Sequence, residues 1–92
     1  MPDYYKILEV DTKASKEVIE KAYKVLSLKH HPDKSRPEEK ESATRKWMEI
    51  RNAYEVLSDE KKRLAYDEQR KREMVELFLN EGLLGIARRY LK

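Results

Sequence analysis

Residues 19–34 read IEKAYKVLSLKHHPDK, and the fold is decided within and around them. Ile19, Ala22 and Leu26 recur at helical spacing and define one buried stripe, while Glu17, Glu20, Lys21 and Lys24 occupy the opposite face. Ser15 is the expected N-cap, with Glu17 in the first turn, where the helix dipole favours an acid. The helical pattern breaks at His30. Pro32 fixes its own backbone and restricts His31 to extended conformations, so His31 leaves the helix and Asp33 is presented on a bent, rigid tip. Pro32 and Pro37 bracket a polar loop.

Outward from this loop the same pattern returns. A third helix is expected from about Glu38 to Leu57, with Ala43, Trp47, Ile50, Ala53, Tyr54 and Leu57 on one side. On the N-terminal side, Tyr4, Tyr5, Ile7, Leu8 and Val10 make a short opening helix, and Thr12 to Ser15 a loop. Leu57-Ser58-Asp59 ends the third helix and caps a short fourth one, which starts near Glu60 and carries Leu64, Ala65 and Tyr66. The basic run Lys61, Lys62, Arg63 sits in its first turns, the wrong end for the macrodipole. After Asp67 the polar stretch EQRKRE can extend the fourth helix, and Met74, Leu77 and Phe78 begin a fresh apolar stripe. Asn80-Glu81-Gly82 reads as a C-terminal cap with Gly82 left-handed. Leu83, Ile86, Ala87 and Tyr90 suggest one more short amphipathic helix.

A chain of 92 residues holds one domain with a modest core. Charged residues make up 42% of it, there are two glycines, and the formal net charge is +3. Such a composition reads as helices with solvated faces, and the mild charge selects no partner class by itself. There is no cysteine, hence no disulfide framework or thiolate metal site. MPDYYKILEV lacks a basic-then-apolar signal pattern, and Met74 to Leu91 is interrupted by Glu76, Asn80, Glu81, Arg88 and Arg89, so no membrane span is expected. The expected location is the cytoplasm. No glycine precedes position 82, so the usual phosphate cradle is missing and any ATP chemistry belongs to a partner. His30 and His31 are adjacent and share no helix face, which disfavours a metal site. No catalytic triad is suggested by spacing, and neither cofactor nor enzymatic activity is expected.

Two antiparallel helices joined by His31-Pro32-Asp33 resemble the J-domain, or DnaJ-type co-chaperone, family. The resemblance is carried by Tyr4-Tyr5-Lys6-Ile7-Leu8, by Ile19-Glu20-Lys21-Ala22-Tyr23 with Leu26, and by His31-Pro32-Asp33-Lys34. It continues through Ala53-Tyr54-Glu55-Val56-Leu57-Ser58-Asp59, Lys62-Arg63 and Tyr66-Asp67, and covers roughly residues 3–68. A bare HPD tripeptide is weak evidence; in register with these flanking motifs it is very specific. The resemblance implies an all-α J-domain, bounded here at 1–70, with antiparallel second and third helices and short first and fourth ones; the apolar stripe that begins at Met74 makes 71–92 an amphipathic helical extension beyond it. It also implies docking on a DnaK-class heat-shock ATPase chaperone, between that partner's nucleotide-binding domain and its interdomain linker. The second helix and the loop would make the contact and stimulate ATP hydrolysis.

Each candidate contact residue has a plainer alternative. The carboxylate of Asp33 suits a bidentate contact with a partner arginine, with His31 and Pro32 presenting it; the alternative is a helix stop bonded to local backbone. Lys21 and Lys24 suit an acidic chaperone surface or are simply solvated. Tyr23 is either a partner contact or a core edge. Leu28 projects from the polar face, about 160° from the Leu26 direction. In the resemblance Leu28 and Trp47 form a small apolar contact patch, although the periodicity favours Trp47 as core with one edge exposed. The chain departs from the family at Glu9, where many members have glycine, and at Glu20 and Val25, where basic residues are common. No glycine- and phenylalanine-rich linker and no zinc-binding cysteine pattern follow Asp67, which points to a minimal member or the start of a different one. Two rivals stand beside the chaperone reading. One is nucleic-acid binding through Lys61, Lys62, Arg63, Arg70, Lys71 and Arg72, which the bracketing acids Asp59, Glu60, Asp67 and Glu68 oppose, so none is expected. The other is an adaptor that has lost its chaperone. Residues 74–91, with Leu77, Phe78, Leu83, Leu84, Ile86 and Tyr90, are expected to dock on the domain or on a further protein.

Overall fold

Short polar side chains set the helix starts, because each takes up an amide that the first turn leaves without a partner. The computed structural model describes residues 1–82. Asp3 caps α1 (Tyr4–Ile7) by accepting from the Lys6 N–H at 3.2 Å. Ser15 caps α2 (Lys16–Lys29) through the Val18 N–H at 3.2 Å, and Asp59 caps α4 (Glu60–Leu77) through the Lys62 N–H at 3.1 Å. That last bond holds the Asp59 carboxyl below the usual range. Between them lies α3 (Lys40–Leu57), entered through a single 3-10 turn at Pro37–Glu39. The described residues contain no strand, so the fold is all-α.

The turn after α1 explains the departure at Glu9. The Glu9 N–H bonds to the Lys6 carbonyl at 3.0 Å and the Val10 N–H to that of Tyr5 at 2.9 Å. This paired closure of a helix end requires a left-handed residue, and Glu9 adopts it at φ 57°. A glycine would do so without steric cost.

Ile19 and Leu26 of α2 meet Ile50, Ala53 and Leu57 of α3, joined by Tyr5, Leu8 and Tyr66. Ile19, Ile50 and Leu8 are wholly buried, each contributing about 1.5–3 kcal/mol through lost water contact. Tyr23 stacks on Tyr54 while His31 meets Trp47, so the chain advances along α2 as it retreats along α3. The two helices are antiparallel.

A polar clamp ties α1 to α4. The Tyr5 hydroxyl donates to Asp67 Oδ1 and accepts from Arg63 Nε at 3.2 Å; the Arg63 guanidinium also donates to the Thr12 carbonyl at 3.1 Å. The Tyr66 hydroxyl accepts from the Tyr4 N–H at 3.0 Å and donates to the Pro2 carbonyl at 2.7 Å, and its ring stacks on Tyr4 at 4.7 Å. Arg70 pairs with Asp3 at 3.0 Å and lies 5.4 Å from the Tyr5 ring centre. Burial pushes both hydroxyls above the ordinary tyrosine range, and at Tyr5 the Asp67 hydrogen bond adds to it. The clamp accounts for Arg63 at an electrostatically poor helix position. It also turns Arg63 and Arg70, two of the six cations a nucleic-acid surface would use, into the body of the domain.

Three expectations need correction. The fourth helix is not short: it spans 18 residues, because EQRKRE, rich in good helix formers, carries it through to Leu77. Of Leu64, Ala65 and Tyr66, only Tyr66 reaches the core, since Leu64 projects from another face and is 62% exposed. Gly82 is not a left-handed cap; the helix is prolonged by one wider turn at Phe78–Gly82. The helix expected at Leu83, Ile86, Ala87 and Tyr90 lies outside the described residues.

Candidate functional site

The loop after α2 folds by local rules. His31 is extended at φ −60° and ψ 132°, as the residue before a proline must be, and Pro32–Lys34 form one 3-10 turn. The Lys34 N–H bonds to the His31 carbonyl at 3.0 Å, and Ser35 closes the turn by donating its N–H (3.1 Å) and hydroxyl (2.6 Å) to the Pro32 carbonyl. His31 is also the cap: its Nδ1 accepts from the Asp33 N–H at 3.2 Å. A backbone amide can only donate, so a neutral His31 ring carries its proton on Nε2. The Asp33 side chain is 82% exposed, 3.7 Å from Nδ1, and its carboxylate accepts no hydrogen bond among the described residues. The tip therefore offers a donor and an anionic acceptor side by side. His31 does bond to local backbone, while the carboxylate of Asp33 does not.

On α2, Lys21 and Lys24 are exposed, and Leu28 is 62% exposed. Val25 and Val18 are exposed as well; they lie within about 20° of each other around the helix, with Leu28 about 60° further round. The outer part of α2 thus carries three exposed apolar side chains interspersed with Lys21 and Lys24. Sequence reading noted Val25 and Leu28 singly and missed Val18; stepping back two helical turns, seven residues, from Val25 would have found it. Tyr23 lies off this face, half-buried, its ring 4.0 Å from that of Tyr54 with the planes 10° apart. It forms an edge of the core.

Trp47 is the residue the structure moves furthest from its expected place. It continues the stripe of α3 one turn before Ile50, yet it stands outside the buried core. The last core residue of α2 is Leu26, and α2 ends at Lys29, so at position 47 the facing surface is the loop. The half-buried indole meets the His31 ring in a T-shaped contact at 5.9 Å, with the Arg51 guanidinium 5.9 Å from its centre. The structure brings His31, Asp33 and Trp47 together, sets Lys21, Lys24 and Leu28 on the outer face of α2, and places Tyr23 on the α2–α3 seam.

A family model described as the DnaJ domain matches residues 3–67. The chain is 57% identical over 67 residues to DnaJ homolog subfamily B member 3 of Homo sapiens, and 58% identical over 67 residues to DnaJ homolog subfamily B member 6 of the same species. It is 52% identical over 65 residues to the DnaJ homolog subfamily C member 3 homolog of Dictyostelium discoideum. These matches cover 73%, 73% and 71% of this chain, but only 46%, 20% and 13% of the respective relatives.

Proposed function

The chain belongs to the DnaJ-domain family, and on that premise we propose that it docks on a DnaK-class heat-shock ATPase chaperone and stimulates its ATP hydrolysis. It is a DnaJ-type co-chaperone domain; the ATP chemistry is the partner's, and this chain contributes contacts and no catalysis of its own. The contact surface is the His31-Pro32-Asp33 tip with the outer face of α2 and Trp47. The observation that carries this reading is the exposed, preorganised carboxylate of Asp33, held beside the His31 ring by a turn that satisfies its own backbone. A carboxylate presented in that way suits a two-pronged hydrogen bond to a partner guanidinium. Lys21 and Lys24 favour an acidic partner surface and accelerate encounter at low salt. Val18, Val25 and Leu28 add apolar area that leaves water on docking.

We assign residues 1–70 to the docking domain, because Arg70 is the last residue of α4 whose side chain is paired with α1, through Asp3. Residues 71–92 form an extension whose apolar side chains, among them the exposed Met74, Leu77 and Phe78, meet a further protein surface. Positions 83–91 of that surface lie outside the described residues.

Single-turnover hydrolysis of ATP by a purified DnaK-class chaperone, with and without this chain, tests the proposal. Faster hydrolysis in its presence is expected. A folded chain that leaves the rate unchanged would put the adaptor reading in its place.

A further inference from the structure

We propose that Trp47, steadied by Arg51, is a positioning residue that holds the His31 ring in the orientation in which Nδ1 caps the tip and Nε2–H is left for a partner. This rests on the docking role given above to the tip, but its first test does not. The His31 ring makes one hydrogen bond within the described residues, the 3.2 Å bond from the Asp33 N–H, and its side chain is 43% exposed. A single solvent-exposed hydrogen bond competes with water and does not by itself keep a half-exposed imidazole in one rotamer.

The second restraint is the indole. Its T-shaped contact with His31 has an interplanar angle of 63°, the arrangement that sets the positive edge of one ring against the negative face of the other. Trp47 is in turn braced from its own helix. Positions 47, 51 and 55 follow at four-residue spacing on one face of α3. The Arg51 guanidinium lies 5.9 Å from the indole centre while its Nε approaches Glu55 Oε1 at 3.5 Å. The series Glu55, Arg51, Trp47, His31, Asp33 thus runs unbroken from a regular helix to the exposed tip. It gives half-buried Trp47 a task that burial in the core would not.

NMR of the isolated chain reads the effect directly. In the unaltered protein the neutral His31 ring should show the Nε2–H tautomer by its ¹⁵N shifts, and three-bond couplings should report one χ1 rotamer. Trp47→Leu should lose both, spreading tautomer and rotamer populations, with unchanged helicity and a several-fold weaker stimulation of the chaperone. Trp47→Phe, which keeps an aromatic ring, should restore the tautomer, the rotamer and most of the stimulation. Arg51→Gln should fall between the two. If Trp47→Leu weakens stimulation while the His31 nitrogen shifts and couplings stay as they were, Trp47 is a contact residue only and the inference is overturned. If the unaltered chain does not stimulate the chaperone at all, the proposed function fails, and the His31 spectra still decide whether Trp47 positions the ring.

Discussion

Tyr66 and Asp33 both present polar oxygens, but the chain treats them in opposite ways. Tyr66 is 7% exposed, and its hydroxyl is filled twice, accepting from Tyr4 and donating to Pro2. Asp33 is 82% exposed at the side chain, with a carboxylate that accepts no hydrogen bond among the described residues. Around Tyr66 the clamp joins residues some sixty positions apart, whereas the bonds of the tip span two or three positions. The clamp fixes the distant elements of the fold; the tip maintains itself and leaves its charge for something else. Stability and recognition therefore belong to different side chains, and substitutions should separate them.

The most damaging test of the clamp is Tyr66→Ala. It removes a buried ring, a stack and two hydrogen bonds, and should cost about 3–5 kcal/mol. In a domain whose total stability is on the order of 5–15 kcal/mol, chaperone stimulation would fall only as far as the folded fraction falls. Urea unfolding followed by circular dichroism measures it; a cost below about 1 kcal/mol would mean that the clamp holds little.

Tyr5→Phe keeps the ring and removes only the hydroxyl shared with Asp67 and Arg63. The expected cost is about 1–2 kcal/mol at neutral pH. Its pH dependence follows from burial, which raises the hydroxyl pKa above the ordinary value of about 10. A raised folded-state pKa gives stability that is complete below the unfolded value and is lost as pH climbs through the folded one. The melting gap between the two proteins should thus hold steady up to about pH 10 and narrow above it. A constant gap across that range would show the hydroxyl not to be selectively protonated in the fold.

The contrast also marks what the sequence made legible. The Ile19–Leu26 and Ile50–Leu57 stripes, the Ser15 and Asp59 caps and the proline-bent tip follow from local periodicity and local stereochemistry, and they stand where the pattern put them. The clamp does not follow from such rules. Arg63 reads as a cation at the wrong helix end until Tyr5, 58 positions away, and the Thr12 carbonyl are seen to receive it. Trp47 shares its stripe with Ile50, and periodicity cannot say that α2 ends before reaching it. The length of α4 was only half legible: the good helix formers of EQRKRE left the extension open, but a polar stretch with no apolar stripe gives no packing signal to require it.

A smaller and opposite effect is expected on the α1 side of the clamp, at Glu9. Glu9→Gly relieves a left-handed conformation that costs a side-chain-bearing residue about 1–2 kcal/mol, partly offset by the greater freedom of glycine when unfolded. The net change should be a stabilisation of roughly 0.5–1 kcal/mol, read as a higher Tm, with stimulation untouched. A lower Tm would mean that the Glu9 side chain makes a favourable contact that outweighs the strain.

The division between clamp and tip is tested most directly by measuring, on the same preparations of His31→Gln and Asp33→Asn, both thermal unfolding and single-turnover ATP hydrolysis by a DnaK-class chaperone. Both variants should melt within about 1 kcal/mol of the unaltered chain, the worth of one exposed cap, and both should lose stimulation. Unfolding of either variant, or stimulation that survives in a folded one, would contradict the assignment of the tip to recognition alone.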